Sequence, residues 1–436
     1  MTSLKAAEEE RFVAGWAPLA GSDPLAGAER LGTPSVYWER PLARECIAGW
    51  REAGVLTARD PAGARADLAR LFTGADLDWL TPPPSSLLGP WFGGLRFAAM
   101  PREDAIWGPL GHGRWVLPEL LVWRHGEGLC AAAFAQRSAG GEDAVRARLE
   151  RVAECFPAGY RHSRATRLVL DLDASRSEFE HRVERALSVI ASGQLQKVVL
   201  ARPLDVEAPE AFDVVEVLSR LREENPRCAT FLVRGTDGTA FVGATPETLC
   251  RIEGGRLDTE ALAGSTDPSQ SEALSGRDKD RREHSPVVEG ILAALRPLSI
   301  GVQAEASPSI LALKNVVHLR TAVTAELAPG VGIAEAVAAL HPTPAVGGSP
   351  RREALQFLLE HEGLDRGWYA GPVGWIGSGR AHLAVALRSA LLRGARARLF
   401  IGAGIVAGSN PAAEWKETEL KSLTMLRALG GTDAGR

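Results

Sequence analysis

Apolar residues recur at helical spacing in some stretches of the chain and alternate with polar ones in others. Phe179, Val183, Ala186, Leu187 and Ile190 share one helical face, which predicts a helix from a cap at Ser175 to about residue 192, stopped by Gly193. Gln196 to Leu204 reads as a strand, with Val198 and Leu200 on one face and Lys197 on the other. Phe212 to Glu224 reads as a second helix, ending before Pro226. Residues 230–234 and 239–243 form a strand pair joined by Thr236-Asp237-Gly238. Further strands are predicted at 248–261, 371–377, 381–391 and 396–405. Further helices are predicted at about 279–297, 332–340, 350–359 and 411–429. Pro286 falls inside the first of these, so a kink or a fresh start is expected there.

Residues 1–165 are patterned differently. Short strands such as 35–38, 95–97 and 119–123 are punctuated by Gly and Pro, for example Thr81-Pro82-Pro83-Pro84. One helix is expected at about 142–155 and a connector at 161–167. The chain thus divides into an N-terminal part, 1–165, and a more regular region, 166–436, together forming one two-lobed unit. Strand pairs alternate with single helices, so the fold class is α+β with large antiparallel sheets.

Composition narrows the function classes. The 436 residues carry a formal net charge of −4 at pH 7, with 45% hydrophobic and 24% charged residues. Tight nucleic-acid binding needs a basic footprint, which is missing. The five cysteines are widely spaced with no C-x-x-C, which argues against a disulfide framework and a cysteine zinc site. Met1 to Arg11 is polar, and no apolar run approaches the ~20 residues of a membrane helix. A cytoplasmic, soluble monomer is expected, without membrane or nucleic-acid partners.

Gly402, Gly404 and Ala407 satisfy G-x-G-x-x-A, the dinucleotide fingerprint on paper. That fingerprint also needs a second parallel strand bearing an acidic residue, and only one helix follows here. The better reading is a glycine-lined strand end that another group approaches closely.

Two segments place carboxylates three residues apart on a helix. They are Asp280 with Glu283, and Glu414 with Glu417, the latter followed by Lys421. Facing each other, such helices would offer hard oxygen ligands to Mg²⁺. Asn410-Pro411 reads as cap and first position of the second helix, whose dipole favours an ionised Glu414. Taken alone, these charges are better explained as solvated helix faces. Lys197, if turned inward, is desolvated and can serve as a base, whereas an edge-strand lysine is structural. Glu247, at a turn after Gly243-Ala244-Thr245-Pro246, could stay protonated and act as an acid, or be an ordinary loop glutamate. His318 alone reads as a core histidine rather than a metal ligand.

In combination the segments resemble the chorismate-utilising enzymes: isochorismate synthase, salicylate synthase, anthranilate synthase component I and aminodeoxychorismate synthase. The matching pieces run in the family order. They are Gln196 to Arg202, Gly243 to Glu247, Leu262-Ala263-Gly264-Ser265, Asp280 to His284, His341 to Ala345, Arg366 to Gly371, Gly402 to Ile405 and Glu414 to Thr418. The resemblance implies a layered α-β-β-α sandwich with the site between two sheets, one Mg²⁺, and chorismate as substrate. It implies Glu283 and Glu417 as metal carboxylates, with Asp280 and Glu414 supporting. Arg388 and Lys421 would hold substrate carboxylates and Tyr369 would line the pocket. Gly264, Ser265, His318, Ala345 and Gly402 would complete the substrate-binding set.

Three positions separate the members. Lys197 matches the lysine of the water-adding members, where amine-forming ones usually have glutamine. Ala263 stands where aminodeoxychorismate synthases often place a nucleophilic lysine. Ala345, before Val346, resembles the small pair of isochorismate synthases, where salicylate synthases tend to carry threonine first. Val36-Tyr37-Trp38-Glu39 looks more like the menaquinone-pathway isochorismate synthases than the siderophore ones. The expectation is a Mg²⁺-dependent, reversible conversion of chorismate to isochorismate, with Lys197 as base and Glu247 as acid. The alternatives are a siderophore-pathway isochorismate synthase, a salicylate synthase, anthranilate synthase component I or a non-catalytic chorismate sensor.

Overall fold

Strands that alternate apolar and polar residues can pair on both edges and bury both faces, and here they do so on a large scale. In this computed structural model, residues 11–431 are described apart from 22, 75–76, 86, 88, 100–103, 126–127, 138–139, 157–167, 171–175, 267–277 and 315. The cap at Ser175 and the connector at 161–167 lie outside the described residues, as do the side chains of Ser265 and Asp280. Among the described residues, the strands form two sheets, of 13 and 10 strands.

Eight strands position the site: β1 (Lys197–Glu207), β2 (Ala240–Thr245), β3 (Thr248–Glu253), β4 (Arg256–Thr266), β5 (Val317–Leu327), β6 (Arg380–Val385), β7 (Ser389–Arg393) and β8 (Arg396–Val406). In the larger sheet β1, β8, β7 and β2 are successive neighbours. In the smaller, β5, β4, β3 and β6 are. β1 and β8 run antiparallel with Lys197 opposite Val406 and Ala201 opposite Gly402. Strands from early in the chain join both sheets. Val36–Arg40 pairs with Ala229–Arg234 in the larger, and Trp91–Leu95 with Pro372–Gly377 in the smaller.

Helices cover the outer faces. α1 (Arg176–Ala191) and α3 (Pro411–Ala428) pack on the larger sheet, where the rings of Phe179 and Trp415 meet at 5.8 Å. α2 (Asp278–Leu295) packs on β4 and β5 of the smaller sheet. Between the sheets, Trp38 meets His382 at 5.0 Å and Phe12 meets Trp91 at 5.9 Å. The result is the expected α+β sandwich, helix-sheet-sheet-helix.

Three details correct the sequence reading. The strand expected at 381–391 is two strands in different sheets: β6 in the smaller and β7 in the larger. The chain turns between them at Arg388, whose φ of 47° is left-handed and ends a strand. The strand expected at 248–261 is also two, β3 and β4, joined at Gly254 and Gly255 with φ of 58° and 81°. Pro286 causes no fresh start, because α2 runs from Asp278 to Leu295 with Pro286 inside it. Burial of Val287, Ile291 and Leu295 offsets the ~3 kcal/mol that an interior proline costs.

Candidate active site

The site grows from the strand pair β1 and β8. On β8 two glycines leave room that side chains would fill. A Cβ on Gly402 would meet the Tyr369 hydroxyl at 2.8 Å, and one on Gly404 would meet Glu283 Oε1 at 2.2 Å. The G-x-G of this segment is therefore a close-approach device and not a dinucleotide loop. The cleft in front of it holds about 80 Å³ of water-accessible space. Glu247, Glu283, His318, Ala345, Tyr369, Arg388, Gly402 and Lys421, all singled out from sequence, line it.

Glu247 follows β2, and its main chain is tied at both ends. Its N–H donates to Thr245 Oγ1 at 3.3 Å, and its carbonyl accepts from the Val385 N–H at 3.0 Å. The carboxyl is buried, with the Thr343 hydroxyl 3.4 Å from Oε1. Burial pushes its pKa up to about 8, helped by the charge of Glu260 and opposed by Lys197 and Lys421. At neutral pH this favours the protonated carboxyl.

Lys197 lies on the face of β1 opposite Val198 and Leu200, as its alternation predicts, and it is fully buried, the inward of the two placements left open by the sequence. Its Nζ lies 3.3 Å from Glu283 Oε1 and donates to the Glu283 carbonyl, also at 3.3 Å. Glu283 stands between this ammonium and the cleft, so Lys197 is not itself among the lining residues. Glu283 is 8% exposed and Glu414 only 1%. Glu417 Oε1 accepts from Lys421 Nζ at 2.6 Å, and the same ammonium donates to the Gly402 carbonyl at 3.1 Å.

The opposite wall carries the second cation. Arg388 Nη2 donates to His318 Nε2 at 2.9 Å, and the histidine also bonds the Gly264 backbone. Burial, then the charges of Arg388 and Lys421, hold the His318 imidazole well below its usual range, so it stays a neutral acceptor. Gly264 has φ of 76° and sits in a bulge between Ala263 and Ser265. Tyr369 stacks on Phe400 at 5.5 Å, and burial pushes its phenol well above its usual range.

One lining residue had no role in the sequence reading. Arg366 is buried, paired with Glu362 at 2.6 Å, and donates to the carbonyls of Val346 and Val199 at 2.7 and 2.6 Å. It braces the wall that carries Ala345 and Val346 against β1. Its place beside Trp368-Tyr369 was the available signal.

The family described as "Chorismate binding enzyme" matches residues 2–430. This chain belongs to that family. It is 36% identical over 442 residues to the salicylate biosynthesis isochorismate synthase of Pseudomonas aeruginosa, covering 94% of this chain and 90% of that one. It is 34% identical over 360 residues to the isochorismate synthase MenF of Bacillus subtilis, covering 79% and 76%. Among solved structures, the menaquinone-specific isochorismate synthase of Escherichia coli superposes with a TM-score of 0.78 at 27% identity, over 98% of each chain. Anthranilate synthase component I from Streptococcus pneumoniae shares the fold, with a TM-score of 0.73 at 22% identity over 88% of this chain and 92% of that one.

Proposed function

We propose that this protein is an isochorismate synthase, which adds water at C2 of chorismate and removes the C4 hydroxyl. The observation that carries the reading is Glu247: a buried carboxyl facing the cleft with its pKa raised to about 8. A departing hydroxyl needs such an acid. Lys197 in its neutral amine form is the base that takes a proton from the attacking water, after its ammonium has given up a proton and Glu283 has turned from its Nζ toward the cleft. Arg388 and Lys421 supply opposed cations for the two carboxylates of the substrate, and Tyr369 and Phe400 give its ring an apolar wall. Ala263, a lining residue, has only a methyl group to offer, which favours water over a lysine nucleophile.

Among the described residues no three His, Cys, Asp or Glu side chains lie close enough to hold a metal by themselves. Mg²⁺ is commonly held by one or two carboxylates, with water and ligand oxygens completing the shell. Glu283, whose carboxylate fills the space left by Gly404, and Glu417 are the carboxylates proposed for that donor set, with Glu414 and, outside the described side chains, Asp280 supporting. When bound there, Mg²⁺ would neutralise and orient a substrate carboxylate.

The relatives named for salicylate and for menaquinone are both isochorismate synthases, so the reading is of the reaction they share. No described helix is long and apolar enough to cross a membrane, and a cytoplasmic site of action follows the reading. Incubation with chorismate and Mg²⁺, followed by chromatography, tests the proposal. Isochorismate is the expected product. Stoichiometric salicylate and pyruvate, an ammonia-dependent fluorescent product, or binding without turnover would overturn it.

A further inference from the structure

Glu247 faces two cavities. The substrate cleft is one. The other is an open hollow with about 310 Å³ of water-accessible space on the other side of the Pro246–Glu247 turn, between the two sheets. Its walls are polar: Arg40, Arg227, Arg251 and Arg320 stand beside Asp258 and Glu260. His382 also lines it. That side chain is 1% exposed, and its Nδ1 has no hydrogen-bond partner among the described residues. A buried ring nitrogen of this kind is normally satisfied by water. The second cavity has room for many water molecules and polar groups to hold them.

The proposed chemistry, on which this inference rests, leaves the protein altered after each cycle. Lys197 has gained the proton of the attacking water, and Glu247 has lost its own to the departing hydroxyl, which leaves as water. The chain of bonds balances, but the protein does not return to its starting state until Lys197 releases a proton and Glu247 recovers one. While substrate or product fills the first cleft, its ring and carboxylates stand between Glu247 and solvent on that side. The second cavity stays accessible throughout.

We propose that Glu247 recovers its proton through the water of this second cavity rather than through the substrate cleft. Glu260 adds direction to the transfer. Its Oε1 accepts from the Thr248 N–H at 2.9 Å, fastening the residue after Glu247, and its Oε2 accepts from Arg320 Nε at 2.6 Å. The fixed negative charge beside Glu247 favours its protonated form. His382 does not compete for the proton, because burial keeps its imidazole well below the usual range.

Filling the cavity tests this without touching the substrate cleft. Ala384 and Ala229 line it from opposite sheets and do not line the first cleft. Ala384→Leu and Ala229→Leu, each checked for folding by circular dichroism, are mixed with excess chorismate and Mg²⁺ and quenched on the millisecond scale. The first turnover should keep the wild-type rate, since Glu247 starts protonated. Later turnovers should slow about tenfold, giving a burst of one isochorismate per protein that the wild type lacks. A variant that matches the wild type in every cycle, or that slows equally in the first and later cycles, overturns the inference. A wild-type protein that makes no isochorismate would instead overturn the proposed function. If one leucine variant does not fold, the other carries the test.

Discussion

The ammonium of Lys197 and the carboxylate of Glu283 lie 3.3 Å apart, the lysine wholly buried and the glutamate side chain 10% exposed. A buried pair of this kind is weak evidence for stability as a pair, yet removing one partner strands the other charge. Lys197→Met should therefore destabilise the fold by about 3 kcal/mol or more, and Lys197→Met with Glu283→Gln should recover most of that loss. Urea unfolding of the single and double variants decides it. A single variant as stable as the wild type would mean that the pair is solvated.

Glu247 links stability to pH with a definite sign. Its pKa is about 8 in the fold, against 4.5 for the unconstrained group. Between those values the unfolded chain has lost a proton that the folded one keeps. Stability from this group is therefore full below about pH 4.5 and falls as pH rises to about 8. Glu247→Gln should remove that fall, and its stability advantage over the wild type should grow across this range. Denaturation midpoints at pH 5, 6.5 and 8 measure it.

The same substitution removes the acid. Glu247→Gln should lower kcat for isochorismate formation by about 10²–10⁴-fold, while wild-type kcat should decline above pH ~8 as the carboxyl ionises. Initial rates across pH 6 to 9.5 check both statements. A flat profile through pH 8 would remove Glu247 from the role of acid.

Gly404 gives a test of the metal carboxylates. Its Cβ would stand 2.2 Å from Glu283 Oε1 and 3.2 Å from Lys197 Cε. Gly404→Ala should push Glu283 aside and raise the Mg²⁺ concentration for half-maximal activity about tenfold or more. Calorimetric Mg²⁺ titration of both proteins gives a readout independent of turnover.

Arg388 reads out substrate binding. It donates to the neutral His318 at 2.9 Å and leaves its other guanidinium nitrogens to the cleft wall. Arg388→Met should raise KM for chorismate about ten- to hundredfold, the worth of one charge-assisted hydrogen bond, with a smaller effect on kcat. A steady-state comparison of the two constants separates binding from chemistry.

Much of the catalytic region was readable from periodicity. The separation of Lys197 from Val198 and Leu200 on β1, and the i,i+3 carboxylates of α3, follow from spacing alone, whereas the burial of Lys197 did not. Tertiary pairing was not readable, because spacing says nothing about what lies across a gap. The contact of Lys197 with Glu283, residues far apart in sequence, needed the sandwich to bring β1 and α2 together. The passage from β6 to β7 was hidden for a different reason. Residues 381–391 are apolar almost throughout, so a left-handed Arg388 leaves no mark in the pattern. Pro286 misled in the opposite sense, since a strong local signal gave way to burial of the residues after it. Arg366 went unassigned because a buried arginine that braces carbonyls looks, in sequence, like any surface cation.

The turn at Arg388 fastens one cation of the cleft to both layers at once. β6 ends in the smaller sheet three residues before it, and β7 begins in the larger one residue after it. On the proposed function, the spacing of the two layers would act as a caliper on the bound diacid. A tryptophan trimmed deep in the gap, such as Trp38 against His382, should be felt as a change in which diacids fit, at a distance from every group that touches them.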